Sequence, residues 1–299
     1  MEKLLQKKDL ILEIKNKVEN DDSSLYSHNI IANNIIDEKT ISIVMTSSNR
    51  SKQTYFTLKS ISNSEYKNVQ IILVDDSDHD PINIDTLKSE NYNFYIDLIN
   101  INRVNKTWLN PLVNYNIGFK FIKGTIVVIQ NAEVCHIGDV LSYINFNVIN
   151  DNYYVFDVKA SSNFDTNEII YNTALDIDIY NKNLFQKGWW QGWYQSTINY
   201  QNLHFLTCLS KYTFDKIKNF SYDLSLGVAF DDNDFLLKII SKCIKIINIW
   251  HDEYKIGGLH LHHDTSPTWN CDDNATNNGL IFKYKKEIYE SSCEYVDII

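Results

Sequence analysis

The feature that most constrains the fold is an alternation, over residues 40–130, of short apolar runs with amphipathic segments. The apolar runs are rich in valine and isoleucine and read TISIVMT, VQIILVDD, NFYIDLIN and GTIVVIQ. Segments with a helical period lie between them, near residues 51–63 and 111–122. Strands that alternate with helices in this order predict an α/β fold with a mostly parallel sheet and helices on both faces.

The composition excludes several classes of protein. A formal net charge of -10 on 299 residues leaves no basic field for a nucleic-acid backbone or an anionic membrane. Five scattered cysteines without a C-x-x-C pair argue against a disulfide framework or a structural zinc site, and they fit a reducing compartment. The charged start MEKLLQKKDLILEIKNK does not resemble a signal peptide, and no apolar run is long enough for a membrane span. We therefore expect a cytoplasmic protein without a transmembrane segment. Self-association into a homo-oligomer stays open.

Polar side chains follow three of the predicted strands. The segment TSSNR ends at Arg50, Asp75 and Asp76 follow the second strand, and Asn131 and Glu133 follow the fourth. Ligands of such sheets bind outside the carboxyl ends of the strands, so these side chains are expected to converge on a binding edge.

Two later motifs also carry chemically competent side chains. Asp231 and Asp232 begin a predicted helix, where acids favour the helix dipole and where one carboxylate can also serve as a general base. The segment GLHLHH offers His260, His262 and His263. Alternation along a strand places His260 and His262 on one face. A neutral imidazole can ligate a metal beside carboxylates, and a solvated histidine cluster is an equal alternative.

The segment KGWWQGWYQS concentrates aromatic side chains. Flat aromatic faces stack on sugar rings and amides read hydroxyl groups, but such a group can equally form a small hydrophobic core. The residues concerned are Trp189, Trp190, Trp193, Tyr194 and Gln195.

The order of these motifs over roughly residues 40–265 resembles the family 2 glycosyltransferases of GT-A fold. The resemblance implies a Rossmann-like domain and an enzyme that moves a sugar from a nucleotide-diphosphate sugar, expected to be a UDP-sugar, to a hydroxyl group. It would act in glycan biosynthesis as a hexosyl- or N-acetylhexosaminyltransferase. The acceptor would be a glycan, a protein or a lipid-linked molecule.

The same resemblance assigns roles to residues. Asp232 would be the general base of an inverting transfer, with Asp231 beside it. Glu133, His260 and His263 would hold a divalent metal, Mn²⁺ or Mg²⁺, with His262 as an alternative. The nucleotide-binding residues would be Thr46, Ser48, Asn49, Arg50, Asp75, Asp76, Asn116 and Asn131.

The chain departs from the family pattern at two points. Tyr115 stands where the family has the arginine of an Arg-Asn-x-Gly segment, here YNIG. The family's Asp-x-Asp metal motif falls on Asn131-Ala132-Glu133, so one ligating carboxylate is replaced by an amide. A catalytically degenerate sugar-binding module is therefore one alternative. A sugar-1-phosphate nucleotidyltransferase is another, although TSSNRSKQ lacks the glycines of a triphosphate-binding loop.

The domain organisation follows from these assignments. Residues 1–39 are expected to form an N-terminal helix and a linker. Residues 40–265 would be the catalytic domain, with a nucleotide-sugar half to about residue 140 and an acceptor half from about residue 141. Residues 266–299 would form a loop and a helix packed on that domain.

Overall fold

A computed structural model describes residues 7–32, 40–172, 197, 201–264 and 272–299. Within these ranges the strands are β1 Tyr26–Ala32, β2 Ile41–Ser47, β3 Val69–Asp75, β4 Tyr95–Ile101, β5 Ile126–Gln130, β6 Val134–Ile137, β7 Asn152–Phe156, β8 Val158–Ala160, β9 Leu206–Ser210, β10 Lys245–Ile249 and β11 Gly257–His260. The helices are α1 Lys8–Glu19, α2 Ser51–Ser62, α3 Ile84–Ser89, α4 Leu112–Phe119, α5 Val140–Asn147, α6 Phe164–Tyr171, α7 Lys211–Ile217, α8 Asp231–Ser241, α9 His251–Tyr254 and α10 Asp272–Ser292, with a 3-10 turn at Tyr222–Leu224. None of the helices in these ranges has the length and hydropathy needed to cross a membrane.

The strands form a large mixed sheet in the order β1-β4-β3-β2-β5-β9-β7-β10. Strands β4, β3, β2 and β5 are parallel, as the sequence predicts, whereas β9 runs antiparallel between β5 and β7. Gln130, the last residue of β5, therefore pairs with Leu206, the first residue of β9. The start of β9 lies at the same edge as the carboxyl ends of the parallel strands.

Each central strand is buried on both faces. Along β3, Ile72 and Val74 belong to one hydrophobic core, while Ile71 and Leu73 belong to the core on the other side of the sheet. Burying an aliphatic side chain of this size stabilises the fold by about 1.5–3 kcal/mol. An unbroken apolar run is therefore what a strand between two helical layers requires.

Helix α4 packs closely on the sheet because it carries a glycine. A Cβ atom on Gly118 would lie 2.8 Å from Val44 Cγ1 and 3.0 Å from Val74 Cγ2, which is too close for a side chain. The glycine of the YNIG segment thus sets the distance between α4 and strands β2 and β3.

The two terminal regions pack on the sheet domain. Helix α1 buries Ile11, Ile14 and Val18 in the same core as α4. Between α1 and β2, where a linker is expected, the structure has strand β1, which pairs antiparallel with β4 and covers what would be an open sheet edge. Polar residues such as His28, which contacts the buried Asp97 at 2.8 Å, conceal this strand from a hydrophobic pattern.

Candidate active site

The first cluster of the site is built by a small second sheet. Strand β11 pairs antiparallel with β6, so that His260 lies opposite Val134. Next to this pair, the Leu261 backbone N–H donates to the Glu133 carbonyl oxygen at 2.9 Å. Segments that are more than 120 residues apart in sequence, the β5–β6 turn and the end of β11, are thereby held side by side.

Glu133 and two histidines converge in this cluster. His260 Nε2 lies 3.2 Å and His263 Nε2 3.3 Å from Glu133 Oε1. One ligand atom from each of the three residues lies within 4.8 Å of the others. Glu133 is only 1% exposed. Its Oε2 atom is buried and has no hydrogen-bond partner among the residues that the structure describes.

The protonation states suit a divalent cation. His263 Nδ1 lies 2.8 Å from the Asp264 carbonyl oxygen, which can only accept, so Nδ1 carries the proton. With the proton on Nδ1, the remaining ring nitrogen of His263, Nε2, faces Glu133. Burial lowers the pKa of His260, which favours its neutral ring. Two imidazoles and a buried carboxylate, one of whose oxygens has no partner among the described residues, are a donor set that fits Mn²⁺ or Mg²⁺.

Arg50 also belongs to this cluster. Its Nη1 atom donates to Glu133 Oε1 at 2.6 Å and lies 3.3 Å from His263 Nε2. Burial alone would raise the pKa of Glu133, but the charge of the Arg50 guanidinium and a hydrogen bond from His260 hold that pKa well below its usual range. In the geometry described, the Arg50 guanidinium contacts Glu133 and His263, and its predicted role in nucleotide binding stays a prediction.

His262 faces away from the cluster. Its backbone N–H and carbonyl oxygen both hydrogen-bond the Asn167 side chain, and its ring packs edge-on against Phe164 at 4.8 Å. The expectation that His260 and His262 share a face fails because β11 ends at His260. The irregular backbone that follows turns His263 toward Glu133 instead.

The second cluster lies at the start of α8. The chain enters this helix through two left-handed residues, Ala229 with φ 63° and Phe230 with φ 66°. The Asn110 and Asn278 side-chain amides both donate to the Ala229 carbonyl oxygen, at 3.2 and 3.1 Å. This strained entry places Asp231 and Asp232 in the first turn, where the helix dipole favours negative charge.

Burial and mutual repulsion shift the pKa values of these acids. Burial, with the nearby Asp232 charge, raises the pKa of Asp231 to about 7, and burial raises the pKa of Asp232 to about 6. The Asp232 side chain is 26% exposed, whereas Asp231 is only 7% exposed. Asp232 is thus the more accessible acid and titrates near neutral pH, as a general base should.

His204 completes the second cluster, and the sequence analysis missed it. Its Nε2 atom lies 3.3 Å from Asp232 Oδ1, and one ligand atom from each of His204, Asp231 and Asp232 lies within 4.8 Å of the others. Burial lowers the pKa of His204 to about 4, so the ring is neutral at pH 7 and can orient Asp232 by a hydrogen bond. The signal for His204 is its place just before β9, but only the antiparallel direction of β9 brings it to this edge.

The two clusters are neighbours. Consecutive residues contact both of them: the His204 ring packs against Tyr115 at 5.4 Å, and the Phe205 ring packs against His260 at 5.8 Å. Burial is the main reason why the pKa of Tyr115 is raised well above its usual range, and the charges of Glu133, Asp232 and Asp231 raise it further. Tyr115, which stands in the place of the family's arginine, therefore lies between the first cluster, around Glu133, and the second cluster, around Asp231 and Asp232.

The acids after β3 have partners within the chain. Arg103 and Asn114 contact the Asp76 carboxylate at 3.0 and 3.2 Å, and Lys106 pairs with it as well. Asp75 accepts from Ser77 Oγ and from the Ile82 backbone N–H at 2.6 and 2.7 Å. Both acids are at most 5% exposed. In the described geometry both acids shape the loop, and the nucleotide contacts predicted for them stay a prediction.

The loop after β2 is held by the same neighbouring loop. Asn49 Oδ1 accepts from the backbone N–H groups of residues 78–80 at 3.0 to 3.2 Å. Ser48 Oγ donates to the Asp76 carbonyl oxygen, and Asp80 accepts from the N–H of Ser51 at the start of α2. The Asn49 side chain therefore holds the two loops together, and its predicted nucleotide contact stays a prediction.

Four other residues predicted to bind the nucleotide differ in their accessibility. Thr46, Ser48 and Asn131 are half-buried, and Asn131 Nδ2 lies 3.4 Å from Glu133 Oε1. Asn116 is fully buried, and its amide bonds the backbone N–H and carbonyl of Phe220 at 2.9 and 3.0 Å. The polar atoms of Asn116 thus hold the loop at Phe220, and its predicted nucleotide contact stays a prediction.

The aromatic segment predicted to hold a sugar lies outside the described residues. This applies to Trp189, Trp190, Trp193, Tyr194 and Gln195.

The mixed sheet is Rossmann-like and carries two clusters of ionisable side chains at its carboxyl edge. The model of the family described as "Glycosyl transferase family 2" matches residues 42–210, more than half of the chain. The chain belongs to this family and has the GT-A fold. This finding decides against the nucleotidyltransferase alternative. No curated protein sequence matches the chain significantly.

Solved structures share the fold at low sequence identity. GalNAc-T7 with UDP, GalNAc and Mn²⁺ has a TM-score of 0.54 and 12% identity, over 84% of this chain and 50% of that one. The mannosyltransferase PcManGT from Pyrobaculum calidifontis, with GDP-Man and Mn²⁺, has a TM-score of 0.50 and 11% identity, over 84% and 66%. S. aureus TarS 1-349 with UDP-GlcNAc has a TM-score of 0.50 and 12% identity, over 78% and 61%. The chain thus spans less than two thirds of each of these three.

Proposed function

We propose that this glycosyltransferase transfers a sugar, with inversion, from a nucleotide-diphosphate sugar to a hydroxyl acceptor, assisted by a divalent metal. The observation that carries the proposal is the adjacency of two unlike clusters at one sheet edge. One cluster, Glu133 with His260 and His263, can hold a cation. The other presents a carboxylate, Asp232, with a pKa near neutrality. A diphosphate leaving group needs the first and an attacking hydroxyl needs the second.

Glu133, His260 and His263 would hold Mn²⁺ or Mg²⁺. A cation bound there neutralises the charge that develops on the departing diphosphate. Two observations support this assignment: His263 Nδ1 is engaged by the Asp264 carbonyl oxygen, which leaves Nε2 for a metal, and Glu133 Oε2 has no hydrogen-bond partner among the described residues. The Mn²⁺ in the PcManGT and GalNAc-T7 structures is consistent with it.

Asp232 would act as the base. Its ionised carboxylate accepts the proton of the acceptor hydroxyl while that oxygen forms a bond to the anomeric carbon and the bond to the diphosphate breaks on the opposite side. His204 orients the carboxylate from 3.3 Å. Asp231, with a pKa of about 7, is partly protonated at neutral pH, which limits repulsion between the two acids.

The donor is proposed to be a UDP-sugar. TarS was solved with UDP-GlcNAc and GalNAc-T7 with UDP, whereas PcManGT was solved with GDP-Man. Thr46, Ser48 and Asn131 are the accessible polar residues that would line the donor site. We further propose a cytoplasmic location, for which the buried thiols of Cys135 and Cys208, both unpaired, are the support.

Ligand-dependent unfolding tests the proposed site. UDP with Mn²⁺ at 100 times the Kd should raise the apparent free energy of unfolding of the wild type by about 2.7 kcal/mol. In Glu133→Gln the Mn²⁺-dependent part should disappear, because the ionised ligand is lost. Glu168→Gln is the matched control, since Glu168 is an exposed acid paired with Lys52. Equal stabilisation of wild type and Glu133→Gln by Mn²⁺ would contradict the metal site.

A further inference from the structure

Arg50 is placed where it would compete with a bound cation. Four groups crowd Glu133 Oε1: Arg50 Nη1 at 2.6 Å, His260 and His263 Nε2 at 3.2 and 3.3 Å, and Asn131 Nδ2 at 3.4 Å. Within the described residues, the buried Oε2 atom has no partner. In the described part of the chain, the positively charged guanidinium of Arg50 directly contacts the Glu133 carboxylate. It occupies Oε1, an oxygen that a metal ion would use.

The contact with His263 strengthens this point. Nδ1 of His263 donates to the Asp264 carbonyl, so in the neutral ring the lone pair is on Nε2, which faces a second acceptor, Glu133 Oε1. Two lone pairs 3.3 Å apart need a positive charge between or beside them, and Arg50 Nη1 lies within 3.3 Å of both. A guanidinium and a divalent cation would repel each other strongly in this buried space.

We propose that Arg50 is a displaceable counter-cation of the metal centre. It neutralises Glu133 and satisfies His263 in the metal-free protein, and it moves away when the cation binds. The released guanidinium then turns to the donor diphosphate, for which its forked donors are suited; this step rests on the proposed function. Arg50 lies at the exit of β2, beside the half-buried Ser48, whose carbonyl oxygen its Nε contacts at 3.2 Å. Metal and donor would then favour each other's binding, and metal alone would bind weakly.

The test is the affinity for Mn²⁺ alone, measured on the full chain by electron paramagnetic resonance of the free ion. Arg50→Gln should bind Mn²⁺ about tenfold more tightly than the wild type, because a competing charge pair has been removed. Arg50→Lys keeps a cation with fewer donors and should fall between the two. Lys52→Gln is the matched control for charge, since Lys52 lies two residues further on, pairs with Glu168 on the surface and should leave the affinity unchanged.

The second measurement repeats the titration with UDP present. UDP should tighten Mn²⁺ binding in the wild type, and it should do so less in Arg50→Gln. An affinity of Arg50→Gln for Mn²⁺ equal to or weaker than that of the wild type would overturn the inference. If that result is obtained while the wild type still binds UDP and Mn²⁺ and transfers sugar, the counter-cation role of Arg50 fails and the proposed function stands. If the Mn²⁺ affinity of Arg50→Gln rises tenfold but no variant transfers sugar, the counter-cation role stands and the proposed function fails.

Discussion

Replacing Asp232 by asparagine is expected to lower the turnover number by about 10²–10⁴-fold. The amide has nearly the shape of the carboxylate and can keep its contact with His204, so the fold and nucleotide binding should persist. It cannot accept the proton of the acceptor hydroxyl. Steady-state kinetics with UDP binding measured in parallel separates the two effects, and Asp215→Asn, an exposed acid paired with Lys211, is the control.

The pH dependence should follow the same carboxylate. Because the base must be ionised, kcat/KM of the wild type should fall as the pH decreases through about 6, the raised pKa of Asp232, and level off above it. Asp231 titrates with it, so the apparent pKa values belong to the pair. An Asp232→Asn variant that keeps wild-type turnover or the same acid limb would contradict the assignment of the base.

Replacing Lys285 by methionine is expected to lower the free energy of unfolding by about 3–5 kcal/mol. Lys285 on α10 has a fully buried side chain, and its Nζ atom lies 3.1 Å from Asp223, 3.0 Å from Asp234 and 2.7 Å from the Tyr295 hydroxyl. Methionine fills a similar volume but leaves two buried carboxylates without their cation. Urea denaturation at constant pH measures the loss.

Lys286→Met provides the control for this variant. Lys286 is exposed and paired only with Glu290 on the same helix, at 3.7 Å, so its replacement should change the stability by less than about 0.5 kcal/mol. Burial lowers the pKa of Lys285, but the acids around it outweigh this and raise that pKa above its ordinary value. Its contribution to stability should therefore hold through neutral pH and be lost only as the pH rises through that raised pKa. An equal loss of unfolding free energy in Lys285→Met and Lys286→Met would contradict a stabilising role of the buried Lys285 ion pairs.

The Lys285 network also bears on the site. Asp234 follows Asp232 by two residues on α8, and its partner Lys285 lies on the same helix as Asn278, which holds the left-handed entry to α8. The helix α10 therefore fixes both the first turn of α8 and the backbone before it. A loose α10 would move the acid pair as well as lower the stability.

The sequence predicted the central strands well because each is a continuous β-branched run buried on both faces. It predicted β3 at residues 69–76, and the structure has Val69–Asp75. It did not predict β1, since polar residues on an edge strand give no such run. It did not predict the role of His204 either, because the direction of β9 depends on pairing with both β5 and β7.

The sequence predicted which residues belong to the candidate site better than it predicted the contacts that these residues make. Asp231 and Asp232 at a helix start and Glu133 beside His260 were expected, and the structure brings each pair together. Arg50, Asp75 and Asp76 were expected to face a ligand because three polar strand exits meet at one edge. Their partners lie within the chain instead: the charge of Asp76 is matched by Arg103 and Lys106, which come from a loop with no distinctive pattern.

Release of UDP from UDP-sugars is the most direct test of the central claim. The purified chain would be incubated with UDP-glucose, UDP-galactose and their N-acetyl forms, with Mn²⁺ or with a chelator, in the presence of candidate hydroxyl acceptors. We expect release from one of these donors with Mn²⁺, none with the chelator, and the loss of this release in Asp232→Asn. Release that is unaffected by both the chelator and the substitution would contradict a metal-assisted transfer with Asp232 as its base.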